Sequence, residues 1–256
     1  MRFFLSKSKE NEIIICYNIA IVEVNNMKIE IWSDFACPFC YIGKKRFEAA
    51  LSKFSNKDKV EVIYKAYQLN PNAPKQMVGS AYEAFASGHQ VSIEQAKKRF
   101  KMFEDNAKTV GLTYNYDIIQ MTNTFDAHRV HKYAQSKGLG DLLGERLMKA
   151  YFSEGQNLSD YKTLISLASS VGLDEKAVET VLNDNAFKDL VLAEQQEARQ
   201  IGVQGVPFFV INRKYGVSGA QDEIYFLNAL NQIWQEEQPL KVMNNSDASC
   251  DTDCAL

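Results

Sequence analysis

Cys37-Pro38-Phe39-Cys40 lies between a short strand pattern and a long helical one. That junction restricts the chain to folds carrying a dithiol at a helix N-terminus. The strand occupies residues 28–32, with Ile29 and Ile31 on one face, and it ends at Ser33-Asp34. Pro38 takes an early helical position, where its missing N–H costs nothing and its fixed φ suits the helix. Tyr41, Ile42, Phe47, Ala50, Leu51 and Phe54 then recur at near-helical spacing. Residues 59–69 return as a second alternating strand carried by Val60, Val62, Tyr64, Ala66 and Tyr67. The predicted unit is β-α-β with the cysteines at its first turn. There the first sulfur meets unsatisfied backbone N–H groups and the positive end of the helix dipole, which favour a thiolate. The second sulfur lies behind it on the same turn.

Zinc sites use the same spacing, but a structural zinc needs a second close pair of ligands. The remaining pair, Cys250 and Cys254, stands at the far end of the chain with no histidine beside it. His128 and His131 offer only two ligands on one helix face. The expectation is therefore a redox dithiol and no metal. A second anchor is Gly205-Val206-Pro207 followed by the apolar run 208–211, the turn Asn212-Arg213-Lys214 and a strand at 215–219. Taken alone, Pro207 reads as a trans proline at a strand start. Between the anchors, helices are predicted at 93–110, 124–137, 141–153, 160–171, 174–182 and 186–201. Thr124 is a candidate cap, and Gly111, Gly138, Gly172 and Gly202 are stops.

Three segments together resemble the DsbA-like thioredoxin family, and within it the FrnE-type branch of dithiol-disulfide isomerases. They are 33–40 with its CPFC motif, Asn123-Thr124-Phe125-Asp126-Ala127-His128-Arg129, and 202–221 ending Val217-Ser218-Gly219-Ala220-Gln221. The resemblance implies an α/β protein, a thioredoxin-like fold interrupted by a large all-helical insertion. Its thioredoxin-like part would be discontinuous, 27–70 with 203–237, around an insertion at 71–202. It also implies a protein-disulfide oxidoreductase or dithiol-disulfide isomerase. By position Cys37 matches the nucleophile, Cys40 the resolving cysteine and Pro207 the cis-proline. Beyond the redox-active disulfide no cofactor is implied, with glutathione or the thioredoxin system as electron partner. Substrates would be protein or small-molecule thiols and disulfides. The insertion is expected to form a lid, leaving a groove walled by Phe39, Val206, Asn123, Phe125 and His128. Phe125, judged by its helical position alone, is core. Trp32 and Phe39 are expected to surround the sulfurs with apolar surface. Asp34 has two readings, a relay for the Cys40 proton or a turn residue bonding its own backbone.

At 256 residues, 46% apolar and 24% charged, the composition is that of a globular protein with a sizeable core. A net charge of −3 shows no basic excess for nucleic acid or a membrane surface. No apolar run is long enough to span a bilayer. Residues 1–26 lack the pattern of a secretory signal and read as an extension before Met27, so a cytoplasmic setting is expected, with CxxC thiols catalytic rather than structural. Residues 238–256 read as a flexible tail whose Cys250 and Cys254 are either an auxiliary dithiol or without role. Two rival functions use the same fold: a glutathione-dependent isomerase or kappa-type glutathione transferase, which needs no resolving thiol, and a thiol-linked chaperone that holds clients.

Overall fold

The computed structural model describes residues 26–237; the extension and the tail, with Cys16, Cys250 and Cys254, lie outside the described residues. Strand β1 (Met27–Ser33) pairs in parallel with β2 (Val60–Ala66) and antiparallel with β3 (Phe208–Ile211). Strand β3 pairs antiparallel with β4 (Tyr215–Ser218), giving the order β2-β1-β3-β4. Helix α1 (Pro38–Lys53) connects β1 to β2.

The pleat of β1 sends alternate side chains to opposite faces. Ile29 and Ile31 join Phe47 of α1, Phe209 of β3, and Phe226, Leu230 and Ile233 of a last helix, which forms a core on one side. Trp32 faces the other side, among Ala198, Val203 and Val210, and its indole N–H donates to the Glu194 carbonyl at 2.9 Å. Trp32 therefore does not surround the sulfurs as expected. Phe35, past the end of the strand, takes that place in one cluster with Cys37 and Cys40.

Between β2 and β3 run seven helices: α2 (Ala81–His89), α3 (Ile93–Lys108), α4 (Phe125–Ser136), α5 (Gly140–Glu154), α6 (Tyr161–Ser169), α7 (Glu175–Asn183) and α8 (Lys188–Gln200). The last helix is α9 (Glu223–Glu236). The fold is thus a mixed α/β thioredoxin-type sheet interrupted by helices. The sequence reading missed α2, which is short and has Gly88 inside it. Its local signal was a capping box, with Ser80 accepting from the Glu83 N–H and Glu83 accepting from the Ser80 N–H.

Buried charge ties the helices to the sheet. Lys132 of α4 donates to the Tyr64 carbonyl and, at 2.7 Å, to the Glu194 carboxylate. Glu194 also accepts the Ala66 N–H at 2.7 Å. Arg129 pairs with Asp126 at 2.8 Å and donates to the carbonyls of Val181, Asp184 and Ala186, satisfying the end of α7. Among the described residues, no helix is long and apolar enough to cross a membrane.

Candidate active site

Cys37 occupies the N-cap of α1 with extended backbone (φ −88°, ψ 115°), and Pro38 follows at the first helical position. Cys37 N–H donates to the Asp34 carbonyl and Cys40 N–H to the Cys37 carbonyl, both at 3.1 Å, so the motif is one tight turn into the helix. Both cysteines are free thiols. The Cys37 thiol donates to the Val206 carbonyl at 3.4 Å, and the Val206–Pro207 peptide bond is cis. Gly43 permits this approach: a Cβ there would lie 2.9 Å from Pro207 Cγ. Any side chain at 43 would push the proline loop off the helix.

Cys37 borders a groove of about 880 Å³ between this loop and the helices, with Phe39, Val206, Phe85, Phe103 and Met121 among its walls. Phe39 is 38% exposed and meets Phe103 edge to face at 5.3 Å. Among the described residues, no lysine or arginine lines the groove. Thr122 and Thr124 line it, whereas Asn123, Phe125 and His128 do not, which corrects the expected wall. The cause is alternation in the segment entering α4, where Thr122 and Thr124 are buried and Asn123 and Phe125 half-buried. Asn123 turns to the backbone instead, accepting the Phe125 N–H at 2.8 Å and donating to the Pro71 carbonyl at 2.8 Å. His128, one turn further on, lies behind the groove against Phe35 with ring centres 4.6 Å apart.

Both cysteines are buried, Cys37 at 3% and Cys40 at 2% exposure, but Cys40 does not line the groove. Its sulfur accepts the Asp34 N–H at 3.5 Å. Burial pushes the Cys40 thiol well up, and the neighbouring Cys37 adds to the shift. The Asp34 carboxylate accepts from the Ala36 N–H at 3.3 Å, the Thr124 hydroxyl at 2.8 Å and the Leu69 N–H at 2.7 Å. It pins the turn to α4 and to the segment after β2. Thr124 is the N-cap residue of α4 by position, but its hydroxyl goes to Asp34 rather than to the helix.

Three phenols stand around Cys37, and the sequence reading missed them. Tyr114, Tyr116 and Tyr151 are all raised, by burial first and by the nearby Cys37 among other groups, so they remain neutral. Tyr114 donates to the Pro38 carbonyl at 2.8 Å, while the Tyr116 hydroxyl has no hydrogen-bond partner among the described residues and Tyr116 lines the groove. Tyr114 and Tyr116 come from an irregular stretch after α3, where no periodic pattern marks them. His131 is neutral: burial, followed by Lys132 and His128, pushes it down to about 3, and its Nε2–H donates to the Gly140 carbonyl at 2.9 Å. Among the described residues, no three His, Cys, Asp or Glu side chains group as metal ligands.

A four-stranded sheet interrupted by helices, with a CxxC at the first helix and a cis-proline beside it, defines a dithiol protein of the thioredoxin type. The profile of the DSBA-like thioredoxin domain matches residues 28–231, and the chain belongs to that family. A probable DsbA oxidoreductase from Streptomyces coelicolor is 39% identical, with a TM-score of 0.80 over 90% of this chain and 99% of that one. An uncharacterized Bacillus subtilis protein, YwbO, is 27% identical over 205 residues, 79% of this chain and 95% of that protein. The cytosolic disulfide reductase DsbM from Pseudomonas aeruginosa, solved with GSH, shares the fold at 15% identity and a TM-score of 0.57, over 81% of this chain and 99% of that one.

Proposed function

We propose that this protein is a thiol-disulfide oxidoreductase acting through Cys37 and Cys40 on polypeptide thiols and disulfides. The observation that carries this reading is the Cys37 sulfur at the floor of the groove, 3.4 Å from the Val206 carbonyl, with Cys40 one turn behind. Cys37 thiolate attacks one sulfur of a substrate disulfide; that S–S bond breaks, and the other substrate sulfur leaves as a thiolate that takes up a proton. Cys40 then loses its proton and attacks the Cys37 sulfur, the mixed disulfide breaks, and Cys37–Cys40 becomes the disulfide. Two electrons pass from the protein to the substrate, and the reverse sequence oxidises a substrate dithiol. A cytoplasmic glutathione or thioredoxin-type donor returns the electrons to the protein.

The isomerase reading of the FrnE-type branch is the same exchange with a different second step, in which another substrate thiol attacks the mixed disulfide before Cys40 does. A buried Cys40 held as a thiol supports it by prolonging that intermediate. A largely apolar groove, with no lysine or arginine among its described lining residues, favours polypeptide over glutathione, whose two carboxylates such cations would pair. Cys40 has no task in a glutathione transferase, and client holding alone does not need either thiol. The test is reduction of insulin and of glutathione disulfide by the reduced protein. Insulin is expected to be the faster substrate, and the Cys37→Ser protein to be inactive on both. Full insulin reduction by that variant ends the proposal.

A further inference from the structure

Thiol exchange at Cys37 leaves most of the groove without a task. Its volume of about 880 Å³ lies within the roughly 300–1,000 Å³ of ligand pockets, far more than a sulfur joined to Cys37 can fill. Whatever chain carries that sulfur must therefore lie along the walls. Phe39, Phe85, Phe103 and Met121 make those walls apolar, and the His89 ring stands against Phe85 with centres 4.1 Å apart. The carboxylate in the lining is that of Asp34, already taken by the Ala36 and Leu69 N–H groups and the Thr124 hydroxyl.

A continuous run of ring contacts builds one side of the groove. Tyr116 stacks on Phe100 with centres 4.0 Å apart, and Tyr114 meets Tyr116 edge to face at 6.3 Å. Tyr114 in turn stacks on Phe152 at 4.3 Å, and Tyr151 meets Phe152 edge to face at 4.9 Å. The rings hold three phenols in place, but their hydroxyls differ. Tyr114 is outside the lining, and its hydroxyl is used on the Pro38 carbonyl at 2.8 Å. Tyr116 and Tyr151 both line the groove, at 5% and 3% exposure, and neither hydroxyl bonds to another of the described residues. Burial is the main reason that both phenols are raised, so both stay protonated and can donate. Hydroxyls left over in a native core call for a partner, and the groove is where one can enter.

We propose that Tyr116 and Tyr151 form a carbonyl-binding subsite that selects substrate polypeptides with a large apolar residue beside the reacting cysteine. The inference rests on the oxidoreductase reading and names the substrate class of the same groove. When Cys37 holds the substrate cysteine in a mixed disulfide, a backbone carbonyl next to that cysteine accepts from the phenols, and the neighbouring side chain packs among the apolar walls. The neutral donors suit a neutral acceptor. An acidic neighbour is disfavoured, because its carboxylate would leave water for apolar surface beside Asp34, with no lysine or arginine among the described lining residues to pair it. Tyr116 and Tyr151 set specificity, and the sulfur exchange stays with Cys37 and Cys40.

The test mixes full-length reduced protein at pH 8 with mixed disulfides of thionitrobenzoate in a stopped-flow instrument. The partners are N-acetyl-Phe-Cys amide, N-acetyl-Asp-Cys amide, and cysteamine, which has no carbonyl. Attack by the Cys37 thiolate forms the Cys37–substrate disulfide and expels thionitrobenzoate with the electron pair of the broken S–S bond, and its colour gives the rate. Each rate is divided by that of the same probe with dithiothreitol. The wild type should take the Phe peptide about tenfold or more faster than the Asp peptide, given the cost of an unpaired buried carboxylate. Tyr116→Phe and Tyr151→Phe should each lower the ratio of Phe peptide to cysteamine by about threefold to tenfold, the size of one lost neutral hydrogen bond. Both substitutions keep the ring. Removing a hydroxyl that has no internal partner should leave the urea-unfolding midpoint unchanged or higher, whereas Tyr114→Phe, which loses the bond to Pro38, should lower it. Ratios unmoved in both variants, equal wild-type rates on the two peptides, or a midpoint lowered by Tyr116→Phe would overturn the subsite. Absence of thionitrobenzoate release from all the probes in the wild type would instead refute the oxidoreductase reading.

Discussion

Cys37 and Cys40 share one helical turn but not one environment. Cys37 borders an open apolar groove with a backbone carbonyl and neutral phenols around it. Cys40 does not line the groove, and its sulfur accepts the Asp34 N–H. Among the described residues the groove side holds no lysine or arginine, while a small cavity elsewhere gathers Lys44, Lys65, Asp141 and two histidines. The difference teaches that a dithiol can divide its labour by access to the groove. In the proposed exchange, the sulfur on the groove is the one to meet substrate, and burial favours the thiol form of the other until a mixed disulfide exists.

The most drastic break of this contrast is Cys37→Ser, which should abolish insulin reduction while thermal unfolding stays that of a folded protein. Cys40→Ser should keep the first attack and stop at the mixed disulfide, visible as a covalent adduct by intact-mass spectrometry. A rapidly turning-over Cys40→Ser protein would show that groove access does not divide the two roles.

The small cavity also has a pH signature. His131 is held neutral down to about 3 in the fold, against 6.5 for a free imidazole. Between those values the unfolded chain binds a proton that the native state does not. His131 thus adds no loss of stability above 6.5, and as pH falls from 6.5 toward 3 it costs about 1.4 kcal/mol per unit. Urea unfolding of His131→Gln at pH 7 and pH 5 should show a shallower pH slope than the wild type; an identical slope would remove His131 from the account.

Gly43→Ala attacks the contact between helix and proline loop. It should cost about 1–3 kcal/mol in urea unfolding, as overpacking does, and slow exchange as Val206 moves off Cys37. The smallest effect is expected at Phe39→Ala. Loss of its ring contact to Phe103 removes about 0.5–1.5 kcal/mol, read as a small fall in the urea-unfolding midpoint; an unchanged midpoint would show the pair contributes nothing.

Local order made several features legible in the sequence. The β1–α1–β2 unit follows from period-two and helical spacing around Pro38, and six of the seven inserted helices follow from apolar periodicity with Asp, Ser or Gly at their ends. The α2 helix escaped because its apolar stripe is thin, with only Ala81 and Ala86 buried and Gly88 inside it. The groove wall was misread at Asn123, Phe125 and His128 because side-chain direction at the entrance to α4 depends on distant acceptors, the Asp34 carboxylate for the Thr124 hydroxyl and the Pro71 carbonyl for the Asn123 amide.

What the chain carries in its own order is the dithiol, its seat at a helix start and the proline loop that would meet it, because spacing and backbone preference act over a few residues. Only tertiary structure decided that Thr122, Thr124 and the Tyr114–Tyr116 stretch gather near Cys37 and that Trp32 turns away. Those outcomes depend on which distant surfaces exclude water together, and burial is a property of the assembled fold that no local pattern records.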